Sequence, residues 1–308
     1  MAKYAFLFPG QGSQYVGMGK DLKDNFKVAA DVFAEADEAL GESLSKLCFE
    51  GPEDDLKLTM NTQPAILTVS VAALRVLQQE SDITPEVVAG HSLGEFSALV
   101  ASGTLKFADA VRIVRKRGTF MQEAVPVGVG GMAAVLGMDT AAVEKICEES
   151  AQGQFVAPAN YNAPGQIVIS GHTEAVKRAA EKAEAEGAKR VVILAVSAPF
   201  HSKLMKPAAD RLGEALKSIE IGDLNIPVLS NVEADFYPSK DAVRQLLTQQ
   251  VNNPVRWIEE MEKMIQAGID NALELGPGKV LCGLMRKISR DVSMKNIGDM
   301  ESLKDALA

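Results

Sequence analysis

Residues 90–94, Gly90-His91-Ser92-Leu93-Gly94, fit the pattern G-x-S-x-G, in which a serine on a sharp strand-to-helix turn is presented as a nucleophile. Small residues are expected on both sides, because the serine occupies a strained turn and a side chain at either glycine would crowd the reacting carbonyl. A helix starting at the motif would also aim backbone N–H groups at a developing oxyanion. A plain glycine-flanked loop can carry the same five residues, so the reading depends on partners. A serine hydroxyl needs a base, and the chain has 3 histidines. His91 adjoins Ser92 and leaves the turn in another direction, which suits packing. His172, in Gly171-His172-Thr173, suits a solvated turn. His201 remains, in Ser197-Ala198-Pro199-Phe200-His201-Ser202, where the chain could face the serine, and it is the expected base. No acid presents itself as a third member, since Asp210 and Glu214 fall in helical patterns. A backbone carbonyl or amide is left to orient the imidazole.

Two further features could serve the same chemistry. Pro9-Gly10-Gln11-Gly12-Ser13-Gln14 looks like a phosphate loop, but the dinucleotide spacing G-x-G-x-x-G fails at Tyr15 and no G-x-x-x-x-G-K-[ST] occurs. Such a loop after a strand is either a tight turn or the source of a second oxyanion donor, with Gln11 the best placed. Arg117 and Arg115 lie at opposite edges of an apolar stripe, Phe107, Ala110, Val111, Val114, Gly118 and Met121, on a predicted helix over 107–123. Spacing alone makes either one a snorkelling arginine. An arginine buried at a site would instead require an anion, and a carboxylate is its natural bidentate partner.

The elements that must position these residues alternate between strand and helix, the signature of a parallel sheet covered by helices. Residues 4–8 read as the first strand, 61–79 as a helix with Pro64 near its start, and 87–89 as the strand leading into the serine turn. A helix follows to about Gly103. Gly128-Val129-Gly130-Gly131 reads as a hinge. Beyond it come strand 132–136, helix 141–150, strands 155–160 and 166–170 around an Asn-Ala-Pro-Gly turn, helix 173–186 and strand 191–196. This βαββαβ order is ferredoxin-like. Alternation resumes with strands at 228–230 and 272–275. The expected fold is thus an α/β protein, with a large catalytic domain at 1–126 and 198–308 and an inserted small domain at 127–197.

The 308 residues carry 41 acidic and 32 basic side chains, a net charge of −9. This disfavours nucleic acid or an anionic membrane as partner, which need excess clustered Lys and Arg. With 47% hydrophobic and 24% charged residues the chain should bury a full core. Cys48, Cys147 and Cys282 form no CxxC pair, which indicates neither a disulfide framework nor a zinc knuckle and fits a reducing cytoplasm. Neither an export signal nor a membrane span is read from the sequence.

Taken together, the serine motif, the Gly-Gln-Gly-Ser-Gln loop, His201 and Arg117 resemble the malonyl-CoA:acyl-carrier-protein transacylases of fatty-acid synthesis. The resemblance spans nearly the whole chain and also rests on Thr62-Gln63-Pro64-Ala65, Glu95, Asn253-Pro254-Val255 and Glu274-Leu275-Gly276-Pro277-Gly278. It implies a hydrolase-like α/β domain with a ferredoxin-like insertion. It further implies Ser92 as nucleophile, His201 as base, Arg117 as clamp on the malonyl carboxylate, and the backbone amides of Gln11 and Leu93 as oxyanion hole. Gln250 matches the position whose backbone carbonyl orients the histidine; Gln63, Met121 and Asn162 match pocket positions, and Phe200 bears on acyl selectivity. The implied reaction moves a malonyl group from malonyl-CoA to the phosphopantetheine thiol of acyl carrier protein, without metal or organic cofactor, in a cytoplasmic monomer. An acidic carrier would need a basic patch on a net-negative enzyme, and Lys279, Arg286 and Arg290 fall on one face of a predicted helix. A serine esterase or thioesterase, an acyltransferase serving polyketide carriers, and a non-catalytic binding module are the alternatives.

Overall fold

The computed structural model describes residues 2–196 and 198–308, so the expected domain boundary at Ser197 lies outside the described residues. Among the described residues eight strands form two sheets: β1 (Tyr4–Phe8), β2 (Pro85–Gly90), β3 (Gly130–Leu136), β4 (Val156–Ala163), β5 (Gln166–His172), β6 (Arg190–Ile193), β7 (Asn271–Leu275) and β8 (Ser293–Ile297). One sheet is parallel, in the order β2-β1-β7-β8. In β1, Phe6 and Phe8 enter one core cluster while Ala5 and Leu7 enter another, and all four are buried. Alternation that is apolar on both faces requires helices on both faces. The Thr59–Glu80 helix is buried on nearly every side and packs against the Phe107–Glu123 helix. Gly118 permits that approach, because a Cβ there would lie 2.6 Å from the Thr59 carbonyl oxygen.

The second sheet is antiparallel, in the order β4-β5-β3-β6, with the Thr140–Ala151 and Thr173–Ala185 helices packed on it. This is the ferredoxin-like βαββαβ arrangement. Its β4 touches the rest of the chain directly: Tyr161 donates to the Val255 carbonyl at 2.9 Å, and Val255 donates to that of Ala159 at 2.9 Å.

Several boundaries differ from expectation for identifiable reasons. The long helix begins at Thr59, two residues early, its first turn closed by Asn61 and Thr62 donating to the Leu58 carbonyl. Strand β4 runs through Asn162 to Ala163, because the pairing of β4 with β5 is closed by Pro164-Gly165 alone, Gly165 supplying a φ of +71°. The expected hinge glycines Gly130 and Gly131 already belong to β3, where a Cβ on Gly130 would sit 2.3 Å from the Pro199 ring. Strand β6 ends at Ile193. His172 is not a solvated turn residue: its Nδ1 accepts the Phe155 N–H at 2.9 Å at the end of β5. Residues 228–230 make single bridges, Val88 with Val228 and Leu229 with Phe236, before the chain turns at Asn231. The helix after Gly276-Pro277-Gly278 spans Val280–Ile288, with Lys279 as its N-cap, so Arg290 lies beyond its end. The Glu274 carboxylate caps this helix by accepting the N–H groups of Leu281 (3.0 Å) and Cys282 (2.8 Å). Among the described residues no helix is long and apolar enough to cross a membrane.

Candidate active site

Strands β1 and β2 are parallel neighbours, so the 9–14 loop and the serine turn emerge at the same, carboxyl end of the sheet. The two are joined by the His91 N–H, which donates to the Phe8 carbonyl at 3.0 Å. Ser92 has φ +52°, in the left-handed region that a side chain rarely adopts. The flanking glycines are required by backbone contact rather than by room for a substrate carbonyl, which corrects the expectation above. A Cβ on Gly90 would fall 1.9 Å from the Gly94 backbone, and one on Gly94 would fall 2.1 Å from the Phe8 carbonyl oxygen. The helix Gly94–Ala101 therefore starts pressed onto the end of β1.

His201 also has a positive φ, +56°, and this conformation points its ring at the serine. Ser92 Oγ lies 2.7 Å from His201 Nε2. On the other side of the ring, Nδ1 faces two carbonyl oxygens, that of Gln250 at 2.9 Å and that of Asn253 at 3.2 Å. Carbonyls only accept, so Nδ1 carries the hydrogen and Nε2 is free to receive one from the serine. His201 is 5% exposed. Burial, and secondarily the nearby Arg117 charge, push its pKa down to about 3.

Arg117, at 1% exposure, is among the most deeply buried large side chains. Its Nη1 donates to Gln63 Oε1 at 2.8 Å, and its Nη2 to Gln250 Oε1 at 2.9 Å and Ser92 Oγ at 3.2 Å. All three partners are uncharged, and Nε has no partner among the described residues. Burial lowers its pKa to about 10, against the opposing pull of the Glu95 carboxylate. Arg115, the other edge of the stripe, turns outward to Asn61 and Glu42. Gln63, which holds Arg117, also donates to Met121 Sδ at 3.6 Å. Phe200, one residue before the base, is 8% exposed. Asn162 reaches across from β4, its Oδ1 2.7 Å from His91 Nε2, and His91 is tilted against Trp257 at 5.4 Å.

The amides expected to bind an oxyanion are those of Gln11 and Leu93. The Ser92 N–H is already taken by Asn231 Oδ1 at 2.7 Å, which leaves the next amide of the turn, that of Leu93. Among the described residues neither Leu93 nor Gln11 donates its N–H to another backbone group outside the helices and strands. The Gln11 side chain is tied to Thr59 Oγ1 at 3.2 Å, and Ser13 Oγ closes the loop onto the Gly10 carbonyl at 2.8 Å.

The family profile described as an acyl transferase domain matches residues 5–302. The chain belongs to the acyl transferase family. It is 51% identical to the malonyl CoA-acyl carrier protein transacylase of Bacillus subtilis, over 100% of this chain and 97% of that one. Identity to the protein of the same name from Escherichia coli strain K12 is 48%, over 100% and 99%. Among solved structures, a malonyl-transacylase in complex with a type II PKS acyl-carrier protein superposes with a TM-score of 0.97 at 47% identity, covering 99% of each chain. The transacylase of Clostridium perfringens gives 0.96 at 47% identity, covering 99% of this chain and 96% of that one.

This acyl transferase thus holds a hydroxyl against a neutral imidazole, with a buried guanidinium within reach of the same oxygen. Sequence reasoning missed the layer beneath. Glu95 is fully buried and accepts hydrogen bonds from Tyr237 Oη, Gln250 Nε2 (2.6 Å) and the Asn231 N–H (3.3 Å). Burial pushes its carboxyl up to about 7, against those hydrogen bonds and the Arg117 charge. Glu260, also buried and held well above the usual carboxylate range by burial, faces Asn231. Glu95 and Asn253 enter the sequence reading only as part of the resemblance, with no role attached to either; Asn231, Tyr237 and Glu260 carry no local signal.

Proposed function

We propose that this acyltransferase moves a malonyl group from malonyl-CoA to the phosphopantetheine thiol of acyl carrier protein in fatty-acid synthesis, through a malonyl ester on Ser92. One observation carries the reading: a fully buried arginine with only neutral partners stands 3.2 Å from the serine oxygen. The nearby Glu95 carboxyl, pushed up to about 7 by burial, makes no hydrogen bond to the guanidinium. A buried cation with no paired anion is costly, and an acyl group ending in a carboxylate supplies one as a bidentate partner. An ordinary ester hydrolase has no use for it.

Each step then falls to a protein group. His201 Nε2 takes the Ser92 proton as Oγ attacks the thioester carbonyl, and the Gln250 and Asn253 carbonyls stabilise the imidazolium. The amides of Gln11 and Leu93 hold the oxyanion. His201 returns the proton to the departing CoA sulfur, and the carrier thiol attacks the ester by the reverse route. Pairing of the malonyl carboxylate with Arg117 removes a charge that depresses His201, so the base strengthens as the correct substrate arrives. The scheme calls on no metal or organic cofactor. Gln63 and Met121 support the clamp, Asn162 acts through His91, and Phe200 borders the acyl group. In the same reading, residues 127–197 are an inserted domain and residues 1–126 with 198–308 the catalytic one. The enzyme works as a monomer in a reducing cytoplasm, which suits its free, buried cysteines.

A type II PKS carrier is a second acceptor to test, because the neighbour solved with such a carrier matches at a TM-score of 0.97. The test is intact-mass measurement after mixing with malonyl-CoA. A malonyl increment is expected on the wild type and not on Ser92→Ala, and added holo carrier should discharge it onto the carrier. Discharge to free malonate at the same rate with and without carrier would make the protein a thioesterase.

A further inference from the structure

A left-handed conformation at a residue with a side chain is strained and persists only where the surroundings over-determine it. At Ser92 the restraint comes from far along the chain. Asn231 Oδ1 accepts the Ser92 N–H at 2.7 Å, while Asn231 Nδ2 donates to the Gly90 carbonyl at 2.8 Å. One side-chain amide thus grips the peptide groups on both sides of His91. Its orientation is fixed by what it faces, since the oxygen must meet an N–H and the nitrogen a carbonyl. The second Nδ2 hydrogen meets Glu260, whose two carboxyl oxygens lie 3.0 Å and 3.0 Å away. Asn231 and Glu260 are both 0% exposed. Glu260 projects from the Trp257–Gln266 helix, so a rigid element behind the sheet backs the grip.

We propose that Asn231 is a positioning residue for the nucleophile, clamping the Gly90 carbonyl and the Ser92 N–H so that Oγ stays in line with His201, and that Glu260 holds the Asn231 amide in register. The proposal rests on the reading that Ser92 is acylated. Asn231 touches none of the reacting atoms and acts only through the turn. It also occupies the Ser92 amide, which hands the oxyanion to the Leu93 amide. A residue that merely filled space would affect stability without separating the acylation rate from substrate affinity.

The experiment is single-turnover acylation by malonyl-CoA, followed by quench and intact mass, with active sites counted by a serine-directed fluorophosphonate. Displacement of a reacting group by about 1 Å can cost about a hundredfold in rate. Asn231→Ala is therefore expected to slow acylation about 30- to 100-fold per titrated site, with the half-saturating malonyl-CoA concentration within about threefold of wild type. The double variant Asn231→Asp with Glu260→Gln keeps volume, charge and the acceptor for Ser92 while removing the donor to Gly90, and should lose about tenfold by the same logic. If Asn231→Ala yields no folded protein, the double variant decides alone. Acylation per site within about threefold of wild type, or a loss confined to half-saturation, overturns the assignment of Asn231. A wild type that takes up no malonyl group overturns the function on which it rests and the proposal with it.

Discussion

Replacing Arg117 with Ala should turn a malonyl-selective site into one indifferent to the carboxylate. The guanidinium is 1% exposed, so a malonyl carboxylate entering the variant meets a desolvated pocket without a partner. Breaking a buried pair by removing one member costs about 3–5 kcal/mol, which at about 1.4 kcal/mol per decade is a loss of hundreds- to thousands-fold in kcat/KM for malonyl-CoA. Acetyl-CoA has no carboxylate and should lose nothing from the missing pair. The fold should tolerate the change, because the partners released, Gln63 Oε1 and Gln250 Oε1, are neutral acceptors. Two side effects follow from the charge. His201, now free of a cation that depresses it, becomes more basic, so the acid limb of the residual activity should move to higher pH. Arg117→Lys should restore only part of the malonyl activity, since an ammonium cannot span Gln63, Gln250 and a carboxylate as a planar fork does. The assay is kcat/KM for malonyl-CoA and acetyl-CoA across pH on wild type and both variants. Equal losses on the two substrates would mean that Arg117 supports the site's structure and does not select its acyl group.

Phe200→Ser should relax discrimination against methylmalonyl-CoA relative to malonyl-CoA by about ten- to a few hundredfold, the worth of one methyl group in a pocket; competition between the two thioesters measures it, and a wild type that already accepts both removes the basis. Glu95 titrates at about 7 in the fold against 4.5 normally, so its raised pKa contributes stability that is present below about pH 4.5 and lost as pH rises through about 7. Thermal unfolding of wild type relative to Glu95→Gln should therefore lose ground across that window, and parallel Tm-against-pH curves would contradict the assignment. Arg286 and Arg290 are exposed at and beyond the end of the Val280–Ile288 helix; reversing both to Glu should raise KM for carrier protein while leaving exchange between CoA thioesters intact, and unchanged carrier kinetics would move the docking surface elsewhere.

What could be read from the sequence, and what could not, divides by the range of the interaction. Helix 107–123 was legible to the residue because its stripe is a local periodic signal, and the βαββαβ order was legible because each element carries its own. The pair Ser92 and His201 lay within reach because only three histidines compete for one serine. Which arginine turns inward was not legible from the stripe, and only the resemblance picked out Arg117, since Arg115 and Arg117 are both edge residues and the packing of the Thr59–Glu80 helix separates them.

The role of the glycines shows the same limit from another side. Their type was read correctly and their reason was not, because the atoms that forbid a Cβ at Gly94 belong to Phe8, on the neighbouring strand. The support of the nucleophile lies further off still. Ser92 takes its restraints from Asn231 and Gln250, 139 and 158 residues away, and an asparagine in a turn after an apolar run looks in sequence like any other turn residue. A strained serine can be announced by its neighbours in the chain, but the strain can be held only by groups that surround it in space. The motif therefore reports where the chemistry is, while the residues that make its geometry durable are scattered through the chain and become visible only once the sheet has brought them together.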